Sequence, residues 1–362
     1  MRWGFNSTHS TQGVDLERQQ RLEEWLNALL HRQMFINNSR EIVVYRLSEY
    51  GGFGNVIRGY FTSMLLVMLY DTCLKGGDTT RISSLVDSFQ DYLRLFFFSP
   101  FPNIGSPFER NDKEGYWRIG KEADQAEWVF NPFASFESQQ SIIPLWHNRS
   151  VDLVVTSYYD ATIRIHSGVY DAKLKSMGFL PSHASDVSSS QRTKEMHSIL
   201  LRLLFNPSYD LCSKINNYIS QLRSAYSIGI QLRMGGQLSN MKDAVFLDLN
   251  RVKEVIQEVK QQASLMKPRR VIAFLSTDSS AVQEYVTQVL SPSITVLLVD
   301  DYQIGHSATT YGRKGKQGVW EGATKRAIMD LMILKECDLL YVTHNSSFGG
   351  FQWNCNNLMV WE

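Results

Sequence analysis

The sequence lacks the long apolar run that a membrane-spanning helix requires. Its longest candidate, residues 61–70, falls short of the roughly 18 consecutive apolar residues that mark such a helix. Residues 1–13 are polar and do not form a secretory signal peptide. We therefore expect either a cytosolic protein or one that reaches a membrane only through an anchor outside this sequence.

An excess of charge and a set of metal-binding cysteines are also missing. The 37 basic and 36 acidic residues leave a formal charge of +1, so no general basic field is available for nucleic acid. The four cysteines, Cys73, Cys212, Cys337 and Cys355, form no C-x-x-C motif and have no suitable histidine beside them, which argues against zinc. One or two disulfide bonds stay open.

The sequence does contain enough apolar residues for a large core. Apolar residues make up 43% of the 362 residues and charged residues 20%, which is typical of a folded chain. At roughly 100–200 residues per domain this length predicts two domains, which we divide into 1–206 and 207–362. N-x-Ser/Thr sequons favour the lumen of the secretory pathway; they begin at Asn6, Asn37, Asn148 and Asn345.

Strands and helices alternate in the second half of the chain. Continuous apolar runs of this length are typical of strands that helices cover on both faces, so we predict a doubly wound parallel sheet. The predicted strands are 227–233, 270–276, 294–299 and 339–343, and the predicted helices are 209–224, 249–263, one that ends at 290, and 319–336. Ligands bind at the carboxyl ends of the strands in such sheets.

The first half shows a looser form of the same pattern. A helix with apolar residues at 22, 25, 26, 29 and 30 is expected to dock on the core. A buried strand at 42–46, a glycine-rich turn at 50–55 and an apolar helix at 56–74 follow. We expect loops and short helices at 78–150, a strand at 152–156 and a helix at 194–205.

Candidate site residues follow the predicted strands. Arg233 comes after a buried strand and before two glycines, where a guanidinium suits phosphate oxygens. Thr277 and Asp278 follow the next strand and suit a ribose, although Asp278 or Ser280 also suits the cap of the following helix. Asp330 lies among apolar residues of a helix, where a carboxylate needs a partner or faces water.

Two loops are further candidates. The loop 343–350 follows the last predicted strand, and its hydroxyls and amides suit a phosphate. The turn with Gly52 and Gly54 is neither a dinucleotide fingerprint nor a P-loop, because a third glycine and a Gly-Lys-Ser/Thr are lacking.

Taken in order, these motifs resemble the three donor-site motifs of GDP-fucose fucosyltransferases. The segments are 204–207, 228–233, 274–278, 327–340 and 346–349, together with the Gly-Phe-Gly-Asn turn at 52–55. The nearest groups are the plant xyloglucan and core α-1,6 fucosyltransferases, with the protein O-fucosyltransferases further away. A single arginine before Met234, and Gln231 where many relatives have histidine, argue against the α-1,6 group. They leave the plant-like and O-fucosyl types open, so a protein O-fucosyltransferase stays an alternative.

The resemblance implies an α/β fold of the GT-B type, with two Rossmann-like domains facing across a cleft. Residues 1–206 would be the acceptor side and residues 207–362 the domain that binds the GDP-sugar. The enzyme would transfer L-fucose to a glycan or glycoprotein hydroxyl, invert the sugar, and need neither a metal nor a cofactor. Nucleic acid is not an expected partner, and residence in the Golgi would fit.

The resemblance also implies roles for individual residues. Arg233 would hold the β-phosphate and Asp330 would read guanine. The other donor-site residues would be Gly52, Gly54, Asn55, Gln231, Thr277, Asp278, Ser346, Ser347 and Phe348.

The catalytic base is a separate question. Asp243 is our candidate, with Asp248 or a water molecule as alternatives.

Three other readings stay open. The chain could be a GT-B transferase for another nucleotide sugar, although a carboxylate such as Asp330 suits guanine better than uracil. It could be a GT-A enzyme with manganese at Asp300 and Asp301, although the usual D-x-D spacing is absent. It could also be a homologue that only binds glycans or proteins.

Overall fold

The computed structural model describes part of the chain, and the account below is confined to that part. The described residues are 20–25, 27–29, 42–46, 54, 57, 59–61, 63–64, 73–76, 97–98, 117–119, 153–156, 171–180, 196, 199–200, 206–235, 245–305, 317–343, 346 and 358–361.

The chain divides into two compact units. One unit comprises Met1–Gly51 and Asn55–Asn206, and the other comprises Gly52–Gly54 and Pro207–Glu362. Each has its own parallel sheet.

The first unit contains a four-stranded parallel sheet in the order β2-β1-β5-β4. The central strand β1 pairs with β2 from Ile42 opposite Cys73 and with β5 from Val43 opposite Leu153. The elements of this unit are β1 (Ile42–Arg46), β2 (Cys73–Gly76), β3 (Phe97–Phe98), β4 (Trp117–Ile119), β5 (Leu153–Thr156) and helix α1 (Asp171–Ser176).

The first helix docks as predicted. Leu22 and Leu29 lie two helical turns apart on the same face of this helix, and both are buried. The Trp25 ring meets the Phe179 ring edge-on, with 5.6 Å between the ring centroids. The docking contact thus involves residues just after α1.

Two predictions for this unit were wrong. The helix expected over 56–74 ends earlier, because residues 73 and 74 belong to β2, which pairs alongside β1. Residues 117–119, expected in loops, form the edge strand β4. Both strands are short and lie at the edges of the sheet, so neither has the long apolar run that marks a buried strand.

The second unit contains a five-stranded parallel sheet in the order β11-β10-β7-β8-β9. Its elements, preceded by the two-residue strand β6 (Asn206–Pro207), are α2 (Tyr209–Leu222), β7 (Tyr226–Leu232), α3 (Leu249–Leu265), β8 (Val271–Thr277), α4 (Ser280–Leu290), β9 (Thr295–Leu297), α5 (Gln317–Leu334), β10 (Leu339–Thr343) and β11 (Leu358–Trp361). The predicted doubly wound sheet is present, with β11 as an additional edge strand that the sequence reading missed.

The strand order reverses at β7. The chain runs from β7 outward through β8 to β9, and then returns to the other side of β7 to form β10 and β11. The crevice between the carboxyl ends of β7 and β10 is the topological switch point, where open parallel sheets bind their ligands. The residues that follow β7, β8 and β10 therefore lie where such a sheet is expected to bind a ligand.

Helix α5 differs from the helices around it because nearly its whole circumference is buried. Helices α2, α3 and α4 bury one stripe each, with Val252, Val255, Ile256 and Val259 of α3 as an example. On α5, residues 328–334 are all at most 5% exposed. Such a helix has no solvated side for a charge, so each charged residue on it must be paired or serve a purpose.

Gly229 sets how closely the end of α5 approaches the sheet. A Cβ at this position of β7 would lie 2.5 Å from Leu340 Cδ1, 2.9 Å from Leu334 Cδ2 and 3.1 Å from Cys337 Sγ. These separations are shorter than carbon atoms tolerate, so the absent side chain makes room for the last turn of α5.

Two smaller features complete the fold. Within the part of the chain that the structure describes, no helix combines the length and apolar character needed to cross a bilayer. Cys212 and Cys337 remain thiols and form no disulfide bond.

Candidate functional site

A carboxylate and a guanidinium meet at the carboxyl ends of β7 and β8. Leu232 and Thr277, the last residues of these strands, lie opposite each other, so Arg233 and Asp278 follow side by side. Asp278 Oδ2 accepts a hydrogen bond from Arg233 Nη1, and the two side chains are only 10% and 13% exposed. A charge-assisted pair in so little solvent fixes the direction of the guanidinium.

Asp278 also holds the backbone that follows Arg233. Its Oδ1 accepts from the Met234 amide at 2.8 Å and its Oδ2 from the Gly235 amide at 3.1 Å. Gly235 has φ of 75°, in the left-handed region that favours glycine. One carboxylate therefore organises both the arginine and the turn after it.

The prediction that Asp278 or Ser280 caps helix α4 was wrong. Ser279 is the cap, and its hydroxyl accepts from the Val282 amide at 3.4 Å. The carboxylate of Asp278 is instead directed to Arg233 and to the turn after β7. Thr277 Oγ1 accepts from the Ser279 amide at 3.3 Å, so it braces the start of α4.

Thr343 joins the two strands at the switch point. Its hydroxyl accepts from the Arg233 amide at 2.9 Å and donates to the Gln231 carbonyl at 3.1 Å. The Thr343 amide in turn donates to Gln231 Oε1 at 3.1 Å. The predicted donor-site residue Gln231 is thus a buried link between β7 and β10, and the backbone of Arg233 is fixed from β10.

Phe246 lies against Arg233 from a second segment of chain. An antiparallel bridge joins Gly235 to Val245, and the Phe246 amide donates to the Met234 carbonyl at 3.0 Å. This places the Phe246 ring 5.5 Å from Arg233 Cζ, within cation–π range. The sequence motifs did not mark Phe246, because only the bridge brings it back to the arginine.

Asp330 is buried on α5 beside β8. It is 4% exposed, its Oδ2 accepts from Ser276 Oγ at 2.8 Å, and Arg326 Nε lies 3.9 Å from the same oxygen. Burial raises the pKa of Asp330 to about 7, although the Arg326 charge and the Ser276 hydroxyl both act to lower it. Its Oδ1 is buried and has no hydrogen-bond partner among the described residues.

The remaining predicted residues divide by whether the structure describes them. Gly54 is a buried helical residue, and Ser346 is buried with its amide 3.4 Å from the Thr343 carbonyl. Both Arg233 and Ser346 therefore lie beside Thr343. The roles of Gly52, Asn55, Asp243, Ser347 and Phe348, which lie outside the described residues, stay predictions.

Asp248, the alternative base, is the N-cap of α3. One of its carboxylate oxygens, Oδ1, accepts from the Asn250 and Arg251 amides, both at 2.9 Å. This arrangement is typical of a structural cap.

The carboxylates of the manganese alternative are engaged by a tyrosine and a lysine. Tyr218 donates to Asp300 Oδ1 at 2.7 Å, and Lys214 Nζ lies 3.1 Å from Asp301 Oδ1. Among the described residues, no group of three or more metal-ligating side chains is gathered at this or any other point.

The edge of the sheet at the switch point thus presents an oriented guanidinium. Arg233 is held by Asp278, by Thr343 through its backbone, and by the Phe246 ring. An arginine fixed in this way at the end of a buried strand is suited to binding phosphate. The buried carboxylate of Asp330 adds an open acceptor on the neighbouring helix, which suits an N–H donor of a ligand.

Solved structures share this fold. A structure of Arabidopsis thaliana FUT1 in complex with GDP aligns with 96% of this chain and 78% of its own, at 14% identity and a TM-score of 0.59. The α-1,6-fucosyltransferase NodZ co-crystallised with GDP covers 89% of this chain and 94% of its own, at 14% identity and a TM-score of 0.47. POFUT1 in complex with GDP covers 90% of this chain and 99% of its own, at 11% identity and a TM-score of 0.43.

The predicted α/β fold of the GT-B type is confirmed by the FUT1 similarity. The resemblance to GDP-fucose fucosyltransferases is likewise confirmed at the level of the fold. No protein-family model matches the chain, and no curated protein matches its sequence.

Proposed function

We propose that the protein is a glycosyltransferase that transfers L-fucose from GDP-fucose to a hydroxyl of a glycan or glycoprotein, with inversion and without a metal. The observation that carries this proposal is the Arg233–Asp278 pair at the switch point of a sheet whose fold is shared with FUT1. A guanidinium fixed at that point would stabilise the departing diphosphate.

Arg233 would act on the leaving group. Cleavage of the bond between the sugar and the β-phosphate leaves negative charge on the phosphate oxygens, and the guanidinium would neutralise it. Orientation matters because a donor already in place costs no reorganisation as the charge develops. Asp278 and Phe246 supply that orientation, so they are positioning residues for this step.

The nucleoside would be bound by neighbouring residues. Asp330 would accept from the N–H groups of guanine, as carboxylates suit that edge. Thr277 and Asp278 would lie near the ribose, and the Ser346 and Ser347 segment near the pyrophosphate. The buried position of Ser346 beside Thr343 supports the last assignment, because it lies at the same strand end as Arg233.

Inversion requires the acceptor hydroxyl to attack from the face opposite the leaving group. Asp243 is the proposed base, and in the sequence it lies between Gly235 and Val245, which form an antiparallel bridge. Gly235 comes two residues after Arg233, so the bridge holds both ends of the segment with Asp243 near the proposed donor site. Residence in the lumen of the Golgi is part of the same proposal and rests on the sequons.

The test is a calorimetric titration of the purified protein with GDP, UDP and ADP, each in excess EDTA. We expect GDP alone to bind. Arg233→Ala should abolish binding, and Arg233→Lys should restore only part of it because an ammonium lacks the fork. Arg251→Ala is the matched control, since it removes an exposed arginine that is paired with Glu254.

Donor turnover provides the second readout. GDP-fucose should be hydrolysed slowly without an acceptor, and the same Arg233 variants should lose that hydrolysis. A preference for UDP, or binding that appears only when Mn²⁺ is restored, would contradict the proposal. GDP binding without any hydrolysis would instead favour a homologue that only binds.

A further inference from the structure

Arg326 is a buried cation at which three elements meet. It is 6% exposed on α5, its Nη1 donates to the Tyr302 carbonyl at 2.8 Å, and its Nη2 donates to Gln283 Oε1 of α4 at 2.8 Å. Its Nε lies 3.9 Å from Asp330 Oδ2, one helical turn along α5. The guanidinium therefore ties α4 and the segment after β9 to the turn of α5 that bears Asp330.

The Asp330 carboxylate has one supported oxygen and one open oxygen. Oδ2 accepts from Ser276 and lies near Arg326, whereas Oδ1 is buried with no hydrogen-bond partner among the described residues. A buried acceptor without a partner is unfavourable, because burial has removed its hydrogen bonds to water. A ligand that donates to Oδ1 would supply the missing hydrogen bond.

The charges around Asp330 come from few groups. Arg326 on its own helix is the described charge that acts on it, and β8 contributes the neutral hydroxyl of Ser276. Lys214, Asp300 and Asp301 belong to the next part of the network, where they contact Tyr218 or Tyr302. The ionisation of Asp330 therefore depends chiefly on its burial and on Arg326.

We propose that Arg326 is a positioning residue for donor specificity: it fixes the Asp330 carboxylate and keeps it ionised, so that Oδ1 accepts from the N–H groups of the guanine base. This inference rests on the proposed function. It assigns to Arg326 a part that no motif marks, since Arg326 itself need not touch the donor.

The geometry requires arginine in particular. Two nitrogens of Arg326, Nη1 and Nη2, donate to Tyr302 and Gln283, and Nε forms an ion pair with Asp330 Oδ2 at 3.9 Å without a hydrogen bond. A lysine keeps the charge but has a single nitrogen on a flexible stem, so it cannot hold all three partners at once. Comparing arginine with lysine at position 326 therefore separates the effect of charge from the effect of position.

The experiment measures GDP affinity of the whole chain by calorimetry from about pH 6 to about pH 8.5, a range that spans the titration of a carboxyl with a pKa near 7. The variants are Arg326→Met, which removes charge and fork; Arg326→Lys, which keeps the charge; and Ser276→Ala, which weakens ionisation without removing a buried cation. The phosphate of GDP titrates alike against every variant, so differences between profiles isolate the protein group.

We expect wild-type affinity to rise with pH and level off above neutrality. In Arg326→Met the midpoint should move upward by about one pH unit, so affinity falls roughly tenfold near neutrality and recovers at higher pH. Ser276→Ala should shift the midpoint in the same direction by less, and it tests the idea even if Arg326→Met does not fold. Arg326→Lys should keep the wild-type midpoint and bind GDP more weakly throughout.

Two outcomes would overturn the inference while leaving the proposed function intact. One is wild-type GDP binding with a loss in Arg326→Met that is equal at every pH, as expected of a purely structural residue. The other is an unchanged midpoint in both Arg326→Met and Ser276→Ala. Failure of the wild-type protein to bind GDP at any pH would be a different result, because it would remove the proposed function itself.

Discussion

An aspartate lies at each end of the strands of the second sheet, which we call the amino edge and the carboxyl edge after the strand ends that lie there. The two carboxylates have different partners. At the amino edge, Asp338 Oδ2 accepts from the amide and hydroxyl of Ser227, at 2.8 and 2.9 Å, and so joins the starts of β7 and β10. At the carboxyl edge, Asp278 accepts from Arg233 and the turn after β7. The described partners of Asp278 include a cation, the guanidinium of Arg233.

This difference separates stability from binding. Asp338 accepts from the amide and hydroxyl of the buried Ser227, which would otherwise lack these hydrogen bonds. Asp278 accepts a hydrogen bond from the guanidinium of Arg233, which is not part of the hydrophobic core. The amino edge should therefore matter to the folded state alone, and the carboxyl edge should matter to the ligand.

The largest expected effect comes from removing the carboxylate at the carboxyl edge. Asp278→Ala should weaken GDP binding by at least about 100-fold, because the arginine and the turn lose their common partner. Calorimetry at constant salt measures the loss. The control is Glu254→Ala, which removes the exposed carboxylate paired with Arg251. Affinity within a few-fold of wild type would mean that Asp278 does not position Arg233.

The second effect should appear at the amino edge and leave the ligand untouched. Asp338→Ala should lower the free energy of unfolding by about 2 kcal/mol, because Ser227 loses an acceptor for its amide and hydroxyl. Urea denaturation measures this, and the folded variant should bind GDP like wild type. Asp338→Asn, which keeps a carboxamide oxygen, should lose less. A matching loss of GDP affinity would remove the distinction between the edges.

The third prediction concerns the buried carboxylate of Asp330 and the pH dependence of stability. Its pKa in the folded chain, about 7, is above that of an unfolded aspartate, so its contribution to stability is lost as pH rises through the folded value. Asp330→Asn should therefore raise the free energy of unfolding near pH 8 by roughly 1–2 kcal/mol. The gain should shrink toward about pH 4, where both states of wild type become protonated.

Thermal unfolding of the ligand-free protein at several pH values checks this prediction. The same variant should bind GDP poorly, since the amide replaces a charged acceptor with a neutral one. A stabilised variant that still binds GDP like wild type would separate Asp330 from base recognition. A variant that is less stable at every pH would show that ionisation of Asp330 carries no cost in the folded chain.

The smallest effect should come from the threonine that links the strands at the switch point. Thr343→Val keeps the shape but removes the hydroxyl that bonds Arg233 and Gln231. We expect a loss of about 1 kcal/mol in stability and a GDP affinity several-fold weaker. Ser279→Ala, which removes only the cap of α4, should leave GDP affinity closer to wild type. An equal loss of GDP affinity in both variants would mean that the link between the strands at the switch point has no particular role in binding.

The second sheet was predictable because its strands are buried on both faces. Strands such as 271–277 are continuous apolar runs bounded by polar residues, and their order along the chain then fixes which residues gather at one edge. The edge strand β4 has an arginine at its centre, and the apolar run of β11 is only four residues long. They exist because neighbouring strands offer hydrogen bonds, which is a tertiary cause that no local pattern records.

The sequence pointed to several residues that the structure brings together, but not to the way they pair. Arg233 and Asp278 were both selected from their places after strands, yet their mutual contact depends on the register of β7 with β8. Phe246 escaped notice because a bridge across an intervening loop returns it to Arg233. Arg326 is four residues before Asp330 on one helix, so the i,i+4 spacing was a usable signal.

Gly229 sets how closely helix α5 approaches the sheet. Because Gly229 has no side chain, the side chains of Leu334 and Cys337 pack directly against the backbone of β7. Asp330 lies one turn before Leu334, so this close approach also sets the distance of its carboxylate from the sheet. A design that places such a carboxylate on a helix above another parallel sheet would therefore also need a glycine at the position that corresponds to Gly229.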